Sequence, residues 1–181
     1  MMRTFLALEL PGETAMQIAD WRDRQFGPVG RAVPPANFHI TLAFIGELSE
    51  GRLERLCLAT DEWLAGVGLA GGKLLLNCTG YWPKPGIYWL GPDEWPEALS
   101  QLAGKLRQLA TTAGARRDRS SFRPHVTLFR NCSTAPPVTA PAISLPYSHF
   151  TLFESRQGKA GVSYHPLQNW ELSPPGRLTE H

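Results

Sequence analysis

The hydrophobic and polar positions divide the chain into short segments of two kinds. Compact apolar runs bounded by Gly or Pro are typical of strands, whereas apolar residues three or four positions apart are typical of helices. The first half predicts strand, helix, strand, helix and strand, over residues 3–10, 13–26, 38–45, 51–64 and 73–82. The second half predicts a strand, a strongly amphipathic helix, a strand and a terminal hairpin, over residues 86–91, 99–110, 124–130 and 148–172.

Two of the predicted strands carry the same phrase, His-x-Thr. It begins at His39 in FHITLAFIG and at His125 in PHVTLFR, so the copies are 125 − 39 = 86 residues apart. In each half a strand, a helix and a loop precede the phrase, and the offset between Phe5 and Trp89 on the preceding strands is 89 − 5 = 84 residues. This agreement in order and spacing predicts a duplication with two related lobes.

Side chains alternate between the two faces of a strand, which separates the polar from the apolar residues of the first phrase. His39 and Thr41 share one face with Asn37. The other face is apolar and consists of Phe38, Ile40, Leu42 and Phe44. If the apolar face packs under the helices, the His/Thr face is free to line an open groove.

The second phrase follows the same alternation, with His125 and Thr127 on one face. By this parity Arg123 belongs to the histidine face and Arg130 to the opposite one. Both belong to a cluster of five arginines between residues 116 and 130, against one acid, Asp118. The cluster predicts a local surface that faces anions, and Arg123 is the candidate for phosphate contact.

Composition and charge restrict the class of protein only broadly. The chain has 181 residues, of which 43% are hydrophobic and 19% charged, and its net charge is +2, which favours a folded globular protein and no particular partner. Its three cysteines include no closely spaced pair, so neither a disulfide framework nor a thiolate metal site is indicated. No segment is typical of a signal peptide or a membrane span, and we expect a cytoplasmic protein without membrane contact.

A groove lined by both phrases would bring two imidazoles and two hydroxyls together. One imidazole can act as base while the other, protonated, acts as acid, and Thr41 and Thr127 can donate to phosphate oxygens. In-line displacement at a phosphodiester requires this set. A strained 2′,3′-cyclic phosphate needs neither a metal nor a nucleotide to drive its opening, so we expect no metal and no cofactor.

Two other interpretations of the histidines stay open. A lone His-x-Thr on a strand is more often structural, and only its repetition on equivalent elements favours chemistry. A metal site is the second alternative, but each phrase supplies one ligand and no third ligand stands at a fixed spacing.

Four stretches of the sequence together resemble the two-histidine (2H) phosphoesterase superfamily: FLALELP, NFHITLAFIG, RPHVTLFR and SYHPLQNWEL. Within it they are most similar to the bacterial and archaeal RNA 2′,3′-cyclic phosphodiesterases, also called 2′-5′ RNA ligases, over residues 3–172. The resemblance implies a bilobal α+β fold, in which two antiparallel sheets backed by helices face each other across a cleft. We therefore expect one bilobal domain at 1–172 and a flexible tail at 173–181.

The resemblance also implies the reaction and the roles of the motif residues. The expected activity opens 2′,3′-cyclic phosphate ends of RNA to 2′-phosphomonoesters, with reversible ATP-independent 2′-5′ joining. His39 matches the acid that protonates the departing 3′-oxygen, His125 matches the base that activates water, and Thr41 and Thr127 match the phosphate-holding threonines. The implied partner is RNA with a cyclic phosphate end, tRNA halves among the candidates, and we expect a monomer.

Two rival functions stay open beside this one. The same chemistry could serve a small nucleotide, such as an ADP-ribose cyclic phosphate or a 2′-5′ oligoadenylate, or the groove could bind RNA ends without turnover. The aromatic residues that could stack on a base are numerous, and the candidates include Phe5, Tyr81, Trp82 and Tyr164.

Overall fold

The computed structural model describes residues 2–174. Three α-helices form: α1 (Gly12–Gln25), α2 (Glu50–Val67) and α3 (Glu97–Thr112). The strands of the first half are β1 (Met2–Glu9), β2 (Arg31–Ala32), β3 (His39–Leu48), β4 (Gly72–Leu76) and β5 (Cys78–Trp82). Those of the second half are β6 (Ile87–Gly91), β7 (Val126–Arg130), β8 (Ile143–Tyr147), β9 (His149–Gly158) and β10 (Gly161–Glu171). Each helix overlaps a helix that the sequence predicts.

The strands form two four-stranded sheets and one two-stranded sheet. Their orders are β10-β9-β1-β3, β2-β7-β6-β5 and β4-β8, and neighbouring strands are antiparallel. Each large sheet contains one of the two His-x-Thr strands. The predicted α+β fold with two lobes is confirmed.

The internal repeat is visible in the pairing of the strands. In each lobe the strand before the helix pairs with the motif strand, β1 with β3 and β6 with β7. Ala7 lies opposite Thr41, and Trp89 lies opposite Thr127. The counterpart of Trp89 is therefore Ala7, two residues beyond Phe5, so the 84-residue offset from Phe5 to Trp89 does not join equivalent positions.

Both lobes share one hydrophobic core. Its fully buried members include Leu8 and Ile40 from the first large sheet and Leu90 and Leu128 from the second. Helix α3 contributes the apolar stripe that the sequence predicts, with Leu99, Leu102, Ala103, Leu106 and Ala110 all buried. The apolar faces of the motif strands are covered, and their polar faces remain available to a groove.

The strand predicted over residues 73–82 is in fact two strands in different sheets. β4 pairs with β8, whereas β5 pairs with β6. Asn77 separates them: its backbone N–H donates to the Gly91 carbonyl, and its side chain donates to Asp93 Oδ1 and accepts from the Asp93 N–H. The single-strand prediction is wrong because a continuous apolar run does not show where a chain crosses between sheets.

The predicted terminal hairpin forms from β9 and β10 and is placed against β1. Beyond it, Ser173 forms a bridge with Ala70. The tail predicted at 173–181 lies, from residue 175 onward, outside the described residues. Within residues 2–174, no helix combines the length and the apolar character that a membrane crossing requires.

Candidate active site

The two motif histidines are held in the same way. His39 is the first residue of β3, and its Nδ1 lies 2.8 Å from the carbonyl oxygen of Asn37. His125 directly precedes β7, and its Nδ1 lies 2.7 Å from the carbonyl oxygen of Arg123. A carbonyl only accepts, so each Nδ1 carries a proton and donates it. In the neutral ring this leaves the lone pair on Nε2, where it can take a proton from a substrate or from water.

Aromatic rings surround both imidazoles. The ring centroid of His39 is 4.9 Å from that of Phe5 and 5.1 Å from that of Tyr164, which meets it edge-on. The centroid of His125 is 4.7 Å from Trp82, again edge-on, and 6.1 Å from Trp89. These rings remove water from the imidazoles and restrict their rotation.

Burial therefore changes the acidity of both histidines. The pKa of His39 is lowered from 6.5 to about 4, chiefly by burial; the hydrogen bond to Asn37 opposes the shift, and the charges of His125 and Arg130 add smaller lowering contributions. Burial also lowers the pKa of His125, with smaller lowering by Arg123 and Arg130. His125 is one of the causes of the low pKa of His39, and the motif strands β3 and β7 contact each other, so the two imidazoles lie near one another. In the free protein both rings are mainly neutral at pH 7, because both pKa values are lowered from 6.5.

Arg130 faces the histidines, which corrects the parity argument. Thr127 lies opposite Trp89 and Phe129 opposite Tyr88, so Leu128 has no partner on β6 and forms a β-bulge. Leu128 and Phe129 are consequently both buried, and Arg130 returns to the face of Thr127. The prediction that Arg130 lies on the opposite face is wrong. Two adjacent apolar residues before a charged one were the signal of the bulge.

Phe44 is displaced by a matching bulge in the first motif strand. Ala7 pairs with Thr41 and Leu6 with Ala43, so Leu42 has no partner on β1. Phe44 pairs with Phe5, the ring that packs on His39, and directly opposed residues of an antiparallel pair share a face. Phe44 therefore lies on the groove face with 62% of its surface exposed, and its assignment to the apolar face is wrong.

Arg123 lies beside His125, on the face that its parity predicts. Its guanidinium covers the ring of Trp89 at 4.8 Å and that of Trp95 at 5.2 Å, and it donates to Cys78 Sγ at 3.1 Å. These contacts fix the side chain next to the site. Direct contact of Arg123 with a phosphate stays a prediction.

Thr41 and Thr127 are half-buried on the same faces as the two histidines, each two residues farther along its strand. A cavity of about 450 Å³ is lined in part by His39. Aromatic rings from the terminal hairpin, Phe153 and Tyr164, line one wall, and Glu9 and Asn37 supply polar groups. The site therefore combines two imidazoles, two hydroxyls and the Arg130 guanidinium with an aromatic cavity beside His39.

The described residues do not bring potential metal ligands together as they bring the imidazoles and hydroxyls together. In the part of the chain that the structure describes, no cluster of three or more His, Cys, Asp or Glu side chains could hold a metal ion. His149, outside the two phrases, lies with its Nε2 2.6 Å from Glu9 Oε2. The donor set of the groove consists of two imidazoles, two hydroxyls and a guanidinium.

Two lobes built on antiparallel sheets, whose His-x-Thr strands β3 and β7 contact each other, have the architecture of a two-histidine phosphoesterase. A family model described as LigT like Phosphoesterase matches residues 8–69 and 90–164, more than half of the sequence. The chain belongs to this LigT-like phosphoesterase family.

Relatives and solved structures agree with that assignment. The chain is 37% identical to the RNA 2′,3′-cyclic phosphodiesterase of Escherichia coli K12, over 94% of this chain and 97% of the relative. It is 32% identical to the protein of the same name from Archaeoglobus fulgidus, over 71% and 72% of the two chains. The crystal structure of E. coli LigT with 3′-AMP superimposes with a TM-score of 0.88 at 36% identity, covering 94% of this chain and 98% of that one.

Proposed function

We propose that this protein opens the 2′,3′-cyclic phosphate end of an RNA to a 2′-phosphomonoester, with His39 as proton donor and His125 as proton acceptor. The observation that carries the proposal is the matched pair of imidazoles. Each is held through Nδ1 by the carbonyl two residues before it, which leaves both Nε2 atoms for chemistry beside Arg130. The E. coli and A. fulgidus relatives, named RNA 2′,3′-cyclic phosphodiesterases, support the same reaction.

The reaction needs one proton taken and one given. Nε2 of His125 takes a proton from water as the oxygen forms a bond to phosphorus. The bond between phosphorus and the 3′-oxygen breaks on the opposite side, and protonated Nε2 of His39 gives its proton to that oxygen. Thr41, Thr127 and Arg130 donate to the non-bridging oxygens, whose charge grows in the transition state. The products are a 2′-phosphomonoester and a 3′-hydroxyl.

Binding of the substrate favours the protonated form of His39 that the reaction requires. In the free protein the pKa of His39 is about 4, too low for a proton donor at neutral pH. A phosphate anion beside the ring favours the imidazolium and raises this pKa. Binding and charging of His39 are therefore coupled, and Arg130 moderates the coupling because its cation opposes a second positive charge.

The ribose of the terminal nucleotide lies on the His39 side, because His39 protonates a ribose oxygen. Two features on that side suit a nucleoside: the exposed ring of Phe44 and the cavity lined by Phe153 and Tyr164. An aromatic face accepts any base by stacking, which suits RNA ends of varied sequence. A structure of the related E. coli LigT with 3′-AMP is consistent with a nucleotide in this groove.

The proposal includes the reverse reaction. If the 5′-hydroxyl of a second RNA replaces water, the same site forms a 2′-5′ linkage without ATP, and the two histidines exchange roles. We further propose that the enzyme acts as a monomer in the cytoplasm, with tRNA halves among its substrates.

The decisive test is an RNA oligonucleotide that ends in a 2′,3′-cyclic phosphate, incubated in excess EDTA without ATP. The parent protein should produce the 2′-phosphate, and His39→Ala and His125→Ala should not. His165→Ala is the matched control and should keep full activity, since His165 lies on β10 and contacts Ser163. Activity only with added divalent metal, or unchanged turnover in either motif variant, would overturn the mechanism.

The same assay separates the rival functions. Faster turnover of an ADP-ribose cyclic phosphate than of the oligonucleotide would favour a small-nucleotide enzyme. Tight RNA binding by the parent protein without conversion would favour a binding module.

A further inference from the structure

Each of two helices contributes an arginine to the motif strand of the other repeat. Arg22 is on α1 and Arg107 on α3, and their separation of 107 − 22 = 85 residues matches the repeat. Arg22 Nη1 donates to the carbonyl oxygen of Leu128 at 3.1 Å, and Arg107 Nε donates to that of Leu42 at 3.4 Å. Leu128 and Leu42 are the bulged residues of β7 and β3. The two repeats are thus linked by two reciprocal hydrogen bonds, each of which ends at a β-bulge.

Arg22 makes the more extensive contact. Its side chain is 4% exposed, and Nη1 also donates to the Val33 carbonyl at 2.6 Å. The guanidinium carbon lies 5.3 Å from the ring centroid of Phe38 and 5.5 Å from that of Phe129. Phe38 immediately precedes His39, and Phe129 immediately precedes Arg130. One buried cation therefore contacts the chain next to a motif histidine and next to the groove arginine.

Arg107 makes the corresponding contact more weakly. Besides Leu42, it donates through Nη1 to the Ser120 carbonyl at 2.6 Å, and its Nη2 is 3.7 Å from Asp118 Oδ2. Its guanidinium carbon lies 5.8 Å from the ring of Phe122, and the side chain is 20% exposed. The Leu42 bulge that it contacts determines the direction of Phe44.

Core stability alone does not account for a buried arginine. Burying a guanidinium is costly, and well-packed apolar residues often stabilise a core as well or better. The one acid that Arg22 meets, Asp23 at 3.1 Å from Nε, is 66% exposed and offsets little of that cost. What arginine supplies is a rigid planar group that lies over two aromatic rings while its Nη1 donates to two carbonyls.

We propose that Arg22 is a positioning residue for catalysis: by holding the Leu128 bulge, it fixes Arg130 relative to His39. Arg107 does the same for Phe44 through the Leu42 bulge. The inference rests on the proposed function, because it requires Arg130 to act on the phosphate and Phe44 on the nucleoside.

The test for Arg22 is a double-mutant cycle with Arg22→Lys and Arg130→Gln, measured by steady-state kinetics on the cyclic-phosphate oligonucleotide. Lysine keeps the positive charge but loses the planar guanidinium that lies over Phe38 and Phe129. We expect Arg22→Lys to lower kcat about tenfold with KM changed less than twofold. In the Arg130→Gln background the same substitution should have less than a twofold effect, because the residue through which it acts is gone.

Arg107→Lys is the matched variant from the other repeat. It should raise KM with little change in kcat, and that effect should vanish in a Phe44→Ala background but persist in Arg130→Gln. Circular dichroism at the assay temperature establishes that each variant is folded. If Arg22→Lys does not fold, Phe129→Leu, which removes one of the two stacking rings, replaces it in the same cycle.

The outcomes distinguish the positioning role of Arg22 from the proposed function itself. An equal loss from Arg22→Lys in both backgrounds would overturn the positioning role and leave the proposed function intact. Full activity of Arg130→Gln would instead contradict the role that the proposed function gives to Arg130.

Discussion

Phe44 and Arg130 occupy equivalent positions on the two motif strands, five residues after His39 and His125 and on the groove side of matching bulges. Apart from this pair, the two strands present the same chemistry to the groove. The repeat thus gives one lobe an aromatic face and the other a cation. That difference suits a substrate with a base at one end and a phosphate in the middle, and it orients the substrate in the groove.

Replacing Phe44 should weaken substrate binding more than catalysis. Stacking of a base on an aromatic side chain contributes on the order of 1–3 kcal/mol, so we expect Phe44→Ala to raise KM about tenfold with kcat nearly unchanged. Phe44→Trp should restore the parent value. Leu58→Ala, which also removes an exposed apolar side chain, is the control. An unchanged KM in Phe44→Ala would contradict stacking on Phe44 and would favour the cavity beside Tyr164 as the site of the base.

The pH dependence of kcat/KM should be bell-shaped, with its maximum on the acid side of pH 6.5. This parameter reports the free enzyme, in which burial lowers the pKa values of both His39 and His125. The kcat profile should extend to higher pH, because bound phosphate raises the pKa of the proton donor. A kcat/KM maximum above pH 7, or a profile that rises without falling, would contradict a pair of buried imidazoles as acid and base.

His39 should also make the fold sensitive to acid. Its pKa is about 4 in the folded protein and 6.5 when exposed, so between these values the unfolded chain binds a proton that the folded chain resists. The free energy of unfolding should therefore fall as pH drops from 6.5 to 4, by at most about 3 kcal/mol from this residue. Urea unfolding at pH 7 and pH 4.5 would measure the loss, which should be roughly 2 kcal/mol smaller in His39→Gln. Equal losses in the two proteins would show that His39 titrates normally.

A glycine on β5 shapes the wall behind His125. A Cβ on Gly80 would overlap the indole of Trp89, whose ring lies beside His125. We expect Gly80→Ala to destabilise the protein by about 1–3 kcal/mol and to lower kcat, because the indole must move. Gly104→Ala on α3, where nothing lies within 4 Å, should instead stabilise by about 0.5–1 kcal/mol with unchanged kcat. Normal kcat in Gly80→Ala would mean that Trp89 does not position the imidazole.

The sequence was most informative where a residue's role depends on a regular strand. The parity of His39 and Thr41, and of His125 and Thr127, predicts their shared faces correctly because no bulge lies within either phrase. Parity fails one residue later in both strands. A bulge depends on the partner strand, which lies far away in sequence, and so Arg130 and Phe44 were assigned to the wrong faces.

The contacts of Arg123 could not be predicted for a related reason. Its face follows from its position next to His125, but its partners come from three separate segments: Cys78, Trp89 and Trp95. Likewise, the break at Asn77 depends on hydrogen bonds to Gly91 and Asp93. The local sequence pattern predicts the face of the strand on which a side chain lies, whereas the residues that it contacts depend on the whole fold.

The pairing of the last hairpin with the first strand has a consequence for synthesis of the protein. A ribosome makes β1 and His39 early, but β9, β10 and the ring of Tyr164 that packs on His39 come last. A chain that ends just before residue 164 would lack Tyr164 and most of β10, the edge strand of the first large sheet. Such a chain carries both His-x-Thr phrases but not the ring that packs on His39, so we expect it to be inactive until β10 has been made.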